Sequence, residues 1–539
     1  MKNLFLFCFF LSGIYLSSCG VSNKAPSALV QPFDDVDSAN VKESNLPILL
    51  GRTENVVTIV KVAVNKQVML KALNISLNGT TDIGDIESVA VYEAGKTEKF
   101  SNKSTLFSLS SSIKKEMTLA GEMSLDPGEH NLLITVKVRA GTVLVNKISV
   151  SCQSLLFNED KKLIPQPHLP FTGGRLGIAL RSHKEDGIHT YRIPGLATTN
   201  TGTLIAVYDN RRNGEVDLQA DVDIGMNRST DGGKTWSPMK VIMDMGTYGG
   251  LPQDQNGIGD PTVLVDVKTN TIWVAAVWAH GHPEKRNWNA SKPGMEPEQT
   301  SQFVLVKSDD DGLTWSAPMN ITKQIKNVEW HLVLQGPGKG ITMENGTLVF
   351  PAQFKDKNQM PHATIIYSKD RGQTWQIGTG AKENTTEAQV VELMDGSLML
   401  NMRDNRGKSR SIAITKDLGN TWSEHSSTRS ALPEPICQAS LDKFIIKRNN
   451  VAGKSILLFS NPNTTKGRYN ITLKASMDEG KTWPEKYFTL LDAGTGSGYS
   501  CLTQIDNNHV GILYESSQAN LVFQVIDLRQ IMNEKDLWK

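Results

Sequence analysis

The feature that most constrains the fold is a short pattern that returns five times: "STDGGKTW" (229–236), "SDDDGLTW" (308–315), "SKDRGQTW" (368–375), "TKDLGNTW" (415–422) and "SMDEGKTW" (476–483). Each copy follows an apolar or alternating run such as "FVLVK", "ATIIY" or "NITLKA". One physical rule accounts for the pattern. The Asp accepts hydrogen bonds from turn amides, the Gly takes positive φ, and the Trp covers the strand below. A second unit, turn then strand, alternates with the first: "NTGTLIAVYD" (200–209), "TNTIWVAAVW" (269–278), "ENGTLVFPAQ" (344–353), "DGSLMLNMR" (395–403), "AGKSILLFS" (452–460) and "NNHVGILYE" (507–515). Repeats of this length, each with several strands, are propeller blades. Six of them predict a six-bladed β-propeller over 175–539 in an all-β protein.

The 539 residues suggest two or more compact units. A net charge of +1 argues against nucleic acid as the main partner, which would require a strongly basic face. Between about 50 and 158, alternating runs such as "VVTIVKVAV", "LLITVKVRA" and "TVLVNKISVS" predict half-buried strands, hence a small β-sandwich over 46–160. Carbohydrate binding and spacing are equally open for it. Residues 20–45 read as a polar tether, and the proline-bearing 161–174 as a linker. The start, "MKNLFLFCFFLSGIYLSSCG", reads as a signal peptide over 1–19, too short in its apolar stretch for a membrane span. "LSSC" also fits a bacterial lipobox with Cys19 as the lipidated residue, beside ordinary cleavage nearby. Both predict export: to the periplasm, to the outer membrane through a lipid on Cys19, or to the cell surface and beyond.

Three features invite readings that their chemistry does not support. "GKT" at 233–235 and 480–482 resembles a phosphate-loop tail, but the required first glycine falls on Arg228 and Ala475. "SDDDG" lacks the alternating ligands of a calcium loop. His280 and His282 stand two apart with no further ligands near, so no metal and no cofactor is assigned. Cys152, Cys437 and Cys501 are an odd, widely spaced trio and read as buried thiols.

Each second unit is the returning arm of a hairpin, so its first arm begins about ten residues before the turn. Counting back gives Arg192, Asp260, Gln335, Glu387, Gln438 and Tyr499; counting forward gives Arg211, Trp278, Gln353, Arg403, Asn461 and Glu515. In a hairpin these two sets share one end. Arg192 and Arg403 thus reach one mouth from separate blades, and Arg468 of "GRYNITLK" opens another strand. Three converging guanidiniums call for a bound anion, carboxylate or phosphate. The alternative is three surface arginines paired with local acids.

"YRIPG" (191–195), the five Asp boxes and the spacings Arg192–Arg211–Asp217 and Glu387–Arg403 together resemble the bacterial exo-sialidases (neuraminidases) among the glycoside hydrolases. The resemblance covers essentially all of 175–539, and the N-terminal sandwich loosely resembles accessory domains of Bacteroidetes sialidases. It implies that Arg192, Arg403 and Arg468 grip a sialic acid carboxylate, that Asp217 is the acid/base, and that Glu387 and Tyr499 form the nucleophile pair. It further implies that Glu515 steadies the first arginine, that Arg211 is a second pocket arginine, and that Asp260 contacts the sugar near its 4-hydroxyl or acetamido group. The implied reaction is retaining hydrolysis of terminal α-linked sialic acids from host glycoconjugates. A non-catalytic sialic-acid lectin and a trans-sialidase or anhydro-forming enzyme are the alternatives.

The chemistry suits these residue types. The anomeric carbon of a sialoside already bears a carboxylate, which would repel an attacking carboxylate; a phenol arrives neutral. Sialidases are a known tyrosine-nucleophile exception among retaining glycosidases. Free tyrosine ionises near pH ~10, so Glu387 as base and the arginines as positive charge are expected to favour phenolate. Asp217 is expected to be partly buried or close to the substrate anion.

Overall fold

The computed structural model describes residues 33–167, 172–448, 451–533 and 536. The leader-like 1–19, with Cys19, lies outside them. Among the described residues, six mainly antiparallel sheets of four or more strands follow one another from residue 174 onward, beside a two-stranded one of Lys408–Ser409 and Pro433–Glu434. The first holds Thr190–Thr198, Leu204–Arg211, Val222–Ser229 and Lys240–Met243. The next four begin at Ile258–Asp266, Leu332–Gln335, Thr385–Glu392 and Ser440–Arg448. The sixth runs Ser500–Gln504, His509–Tyr514 and Leu521–Asp527, and is completed by Gly174–Arg181 from the start of the domain. The first strands contact one another in a ring, with Thr190–Thr198 touching both Ile258–Asp266 and Ser500–Gln504. Closing the last blade with the earliest strand ties the two ends of the propeller together and leaves no long edge exposed there.

The Asp boxes end the third strand of each of the first five blades and obey the rule read from sequence. In the first, Ser229 Oγ bonds Asp231 Oδ1 (2.8 Å), the amide of Thr235 donates to the same carboxylate (3.0 Å), and Trp236 Nε1 donates to Gly233 O (3.1 Å). Gly233 sits at φ +87°, and a Cβ there would collide with the Phe523 ring of the sixth blade. The turn is thus also a blade-to-blade contact. The sixth blade has no box because its fourth place is filled by the incoming N-terminal strand.

Hydrogen bonds from Thr314 hold the carboxyl of Asp310 down to about 2, and those from Thr421 do the same for Asp417. An unfolded Asp titrates near pH ~3.9, so between these values the unfolded chain binds more protons than the folded one. The stabilisation from these boxes is therefore complete above about pH 4 and disappears as pH falls toward 2. Thermal midpoints at pH 5, 3 and 2 are expected to drop at both steps, since the loss sets in below the unfolded pKa and continues through the folded one. In an Asp310→Asn/Asp417→Asn double variant, the drop should shrink.

The N-terminal domain is a sandwich of a five-stranded sheet (Val36–Glu43, Asn55–Val64, Gly128–Val138, Ile86–Glu93, Thr105–Ser110) and a four-stranded one (Lys162–Leu163, Ser151–Phe157, Val68–Ser76, Glu116–Leu125). Buried Val60, Leu73, Leu132 and Leu155 belong to its core. Two boundaries differ from the sequence reading. The tether expected over 20–45 already contains an edge strand, Val36–Glu43, in which only Val36, Ala39 and Val41 are buried and a bulge breaks the alternation. Within the expected linker 161–174, Lys162–Leu163 extends the sandwich and Gly174 opens the propeller strand.

The two domains share one continuous apolar core, in which sandwich residues such as Ile148 and Leu144 meet Leu176, Leu180 and Tyr191 of the propeller. Ile48–Leu49 also pairs in parallel with Leu176 and Gly177 as a further strand on the sixth blade.

Candidate active site

The first arms of three blades carry a bulge at the mouth of the ring. Arg192 pairs with Asp209 and Gly195 with Val207, so three steps on one arm meet two on the other. The same offset separates Gly259 from Thr262 and Thr385 from Ala388. Asp260 and Glu387 lie inside their bulges, and Arg192 borders its own. A bulge bends the strand and re-aims its side chains, and here it turns them toward the axis. Ile193 holds φ +60° and Asp260 φ +59°. That conformation is unusual for any residue with a Cβ and strongly so for a β-branched one. Buried acids hold both: Ile193 N donates to Glu515 Oε1 (3.0 Å) and Asp260 N to Asp209 Oδ1 (2.8 Å).

These side chains meet in a cavity of about 710 Å³ lined by Arg192, Asp217, Asp260, Glu387, Arg403, Arg468 and Tyr499. Tyr499 is its floor, only 6% exposed. Its Oη donates to Glu387 Oε1 (2.5 Å) and accepts from Arg403 Nη1 (3.1 Å), while Arg403 also bonds Glu387 Oε2 (2.6 Å). The guanidiniums of Arg192 and Arg468 lie 5.4 and 5.6 Å from the centre of the Tyr499 ring. All three predicted arginines therefore surround one phenol. The alternative of three separate surface arginines is ruled out.

Their counter-charges are unequal. Arg192 Nε is paired with buried Glu515 (2.5 Å) and Arg403 with Glu387. Arg468 donates only to the main-chain carbonyls of Ser497 (2.9 Å) and Ile436 (3.2 Å), with no carboxylate partner among the described residues. Arg403 Nε is buried without a partner. An uncompensated guanidinium beside an unfilled donor, in a partly dehydrated cavity, favours a ligand with a carboxylate.

Glu515 is the node beneath this group. Its two oxygens receive Arg192 Nε, Ile193 N and Tyr499 N (2.9 Å), so one acid fixes the first arginine and the tyrosine together.

Asp217 stands on the other side of the cavity with its side chain 55% exposed, ion-paired to Arg211 Nη1 (2.6 Å) and facing Arg286 Nη1 at 3.8 Å. Of the two conditions expected for it, partial burial or a nearby substrate anion, its loop supplies little of the first. Arg211 also departs from expectation. It is 2% exposed, does not line the cavity, and lies behind Asp217, bonded to Asp209 Oδ2 (3.0 Å) and to the carbonyl of Glu215 (2.8 Å). Two residues along one strand return to the same face, so Asp209 and Arg211 point together. That spacing was the signal by which Asp209 could have been found.

Burial pushes the carboxyl of Asp209 up to about 6 despite Arg211. Burial and the neighbouring Asp209 push Asp260 well above the ordinary carboxylate range.

Burial first and then the adjacent Glu387 anion push the Tyr499 phenol well above 10, and the arginines only partly oppose this. The shift favours the neutral phenol expected from the sequence, and the surrounding positive charge does not reverse it.

The register count brings Trp278, with the loop that follows it, to the mouth. Trp278 is buried instead, edge-on to Tyr248, and the loop residues that line the cavity are Arg286, Asn287, Trp288 and Asn289. His280 Nδ1 is hydrogen-bonded to Asn256 (2.8 Å). Among the described residues, no three His, Cys, Asp or Glu side chains group as metal ligands. Cys152, Cys437 and Cys501 are buried and unpaired.

Fold and site together define a propeller protein whose cavity gathers three arginines around a tyrosine–glutamate pair. The comparisons with known proteins place that fold in a family. Residues 193–484 match the model of a BNR repeat-like domain, and 36–161 match the N-terminal domain of BNR-repeat neuraminidase. The chain is 46% identical over 522 residues to a sialidase of Bacteroides fragilis, covering 92% of this chain and 96% of that one. It is 34% identical to a sialidase of Clostridium perfringens, covering 62% and 88%. The solved structure of the Hadza microbial sialidase Hz136 superposes with a TM-score of 0.86 at 45% identity, over 92% of this chain and all of that one. The chain belongs to the BNR-repeat sialidase (neuraminidase) family.

Proposed function

We propose that the protein is an exo-α-sialidase that releases terminal α-ketosidically linked sialic acids from host glycoproteins, glycolipids and oligosaccharides with net retention, using Tyr499 as nucleophile. The reading rests on one observation above all: the Tyr499–Glu387 hydrogen bond, ringed by three arginines of which one has no acid partner among the described residues.

The sugar carboxylate would settle among Arg192, Arg403 and Arg468, bringing the anomeric carbon over Tyr499 Oη. As Oη forms its bond to that carbon, its proton passes to Glu387 and the bond to the leaving oxygen breaks. Asp217 gives that oxygen a proton. In the second half Asp217 takes a proton from water, the water oxygen displaces the tyrosyl oxygen, and Glu387 returns the proton to Tyr499. Two inversions give retention. Arg211, held behind Asp217, orients the acid and does not grip the substrate. Asp260 would meet the sugar near its 4-hydroxyl or acetamido group. Substrate and aglycone would supply the cover that Asp217 lacks in the open site, strengthening its interactions as water leaves.

A sialoside assay followed by proton NMR tests this directly. The expected first product is free sialic acid in the α-anomeric form. Transfer to an acceptor sugar or an anhydro product would redirect the assignment within the family, and binding without turnover would leave a lectin. Export with lipidation at Cys19 belongs to the same reading, since host glycans lie outside the cell. Palmitate labelling that persists in a Cys19→Ser variant would contradict it.

A further inference from the structure

The N-terminal domain meets the propeller at more than a wall of apolar contacts. Asn45 to Arg52, the segment that leaves its edge strand and crosses to the sixth blade, bonds directly to both loops that deliver the catalytic floor. The first loop, 493–498, leads into Tyr499. The second, 515–520, begins with Glu515.

Asn45 turns at φ +53° and its carbonyl accepts from Ala493 N (3.0 Å), at the start of the first loop. Arg52, half-buried, donates from Nη1 to Gln518 Oε1 (2.7 Å) and from Nη2 to Gln518 O (2.6 Å), in the second. The two loops are joined through buried Asp492, whose carboxylate accepts from Gly494 N (2.8 Å), Ser516 Oγ (2.6 Å), Ser517 N (2.8 Å) and Ser517 Oγ (2.7 Å). Gln518 closes the circuit, with its amide on Ser516 Oγ (3.1 Å) and its side chain on Ser517 Oγ (3.1 Å). From there the two chains run to the site. Gly496 N donates to Arg468 O (3.1 Å), Ser497 O receives Arg468 Nη1, and Glu515 N donates to Tyr499 O (2.9 Å).

The two loops are held by these hydrogen bonds and by close packing on each other. The first is built from Gly and small residues, which carry little packing of their own, and a Cβ at Gly494 or Gly496 would strike the second loop. Loops so built rely on hydrogen bonds for their position, and a displacement of about 1 Å at a catalytic group costs on the order of 10²-fold in rate.

We propose that Asn45 and Arg52 of the N-terminal domain are positioning residues for the reaction. By clamping Ala493 and Gln518 they hold Tyr499, Arg468 and Glu515 in register. The N-terminal domain is then a working part of the catalytic site and not a detachable module. The inference rests on the assignment of Tyr499 and Glu515 to the active site made above.

Arg52→Ala, Gln518→Ala, the double variant and Arg52→Lys in the full chain test it. kcat and KM would be measured for a fluorogenic sialoside at 25 °C, together with thermal midpoints and the affinity for a 2,3-dehydro sialic acid. Each alanine variant is expected to lower kcat roughly tenfold with KM within about threefold, the displacement falling on the reacting groups more than on the carboxylate grip. The double variant should be no slower than Arg52→Ala alone, because Arg52→Ala already removes the bond to the Gln518 side chain as well as the one to its carbonyl. Arg52→Lys, which still reaches two carbonyl-type acceptors, should recover part of the rate. If Arg52 only joins the domains, the thermal midpoint falls while kcat of the folded enzyme stays within twofold of the parent. That result overturns the inference and leaves the sialidase assignment standing. A parent protein without turnover would instead sink the functional reading.

Discussion

Tyr499→Phe is expected to lower kcat by roughly 10³-fold or more while the protein still binds a sialic acid analogue within a few-fold of the parent affinity. The asymmetry follows from what the substitution removes. The ring stays, and with it the contacts of Arg192 and Arg468 against its face. Glu515 still receives the residue 499 amide, because that bond is made by the main chain. Only Oη is lost, along with its bonds to Glu387 and Arg403. Without Oη no tyrosyl–sugar bond forms, and any remaining turnover requires direct attack by water. A variant with near-parental kcat would remove Tyr499 from the mechanism.

Arg403→Ala has the second largest expected effect, and it acts on binding as well as rate. Arg403 Nη1 serves Glu387 and Tyr499 at once, and its Nε is buried and unfilled, ready for a ligand oxygen. Removing it takes away a charge-assisted partner of the sugar carboxylate and leaves Glu387 largely buried without its cation. Truncating one member of such a pair costs about 3–5 kcal/mol. A fall in kcat/KM of roughly 10²–10³-fold with a marked rise in KM should follow. Affinity for a 2,3-dehydro sialic acid, read by calorimetry, should fall in parallel. Arg403→Lys should recover little, because a lysine offers a point charge where a planar fork is used. An unchanged affinity would contradict the arginine grip.

Much of this site was legible in the sequence because propeller repeats impose a register. Counting from the turns put Trp278 and Gln353 within two residues of the first-arm partners they acquire, Ile258 and Leu334. It also brought Arg192, Glu387, Arg403 and Tyr499 to one mouth. The count stopped short where the backbone leaves the regular ladder. No residue pattern announces that Ile193 takes a left-handed conformation before a proline, or that one extra residue enters each first arm at Arg192, Asp260 and Glu387. These bulges decide which side chains face the cavity and which stay behind it. Asp209 and Arg211 share a face yet end as the support of Asp217 and Asp260, because the bulged arm intervenes. The edge strand Val36–Glu43 escaped notice for a simpler reason: three small apolar residues around a bulge do not make an alternating run. The bonds of Asn45 and Arg52 in the crossing segment carried no signal, since their partners Ala493 and Gln518 lie more than 400 residues away.

The protonation of Tyr499 shows what burial adds to a list of residues. From sequence, the phenol is expected to arrive neutral, with Glu387 as base and three arginines favouring its ionisation. In the folded site the phenol is too deeply buried, and too close to Glu387, to ionise before the substrate arrives.

The covalent step itself gives the most direct test. Incubation with a 3-fluorosialyl fluoride, digestion and mass spectrometry of the labelled peptide should place the sugar on Tyr499, within the stretch "GTGSGYSCL". Label on Glu387 or Asp217, or inactivation with no covalent adduct, would contradict the account.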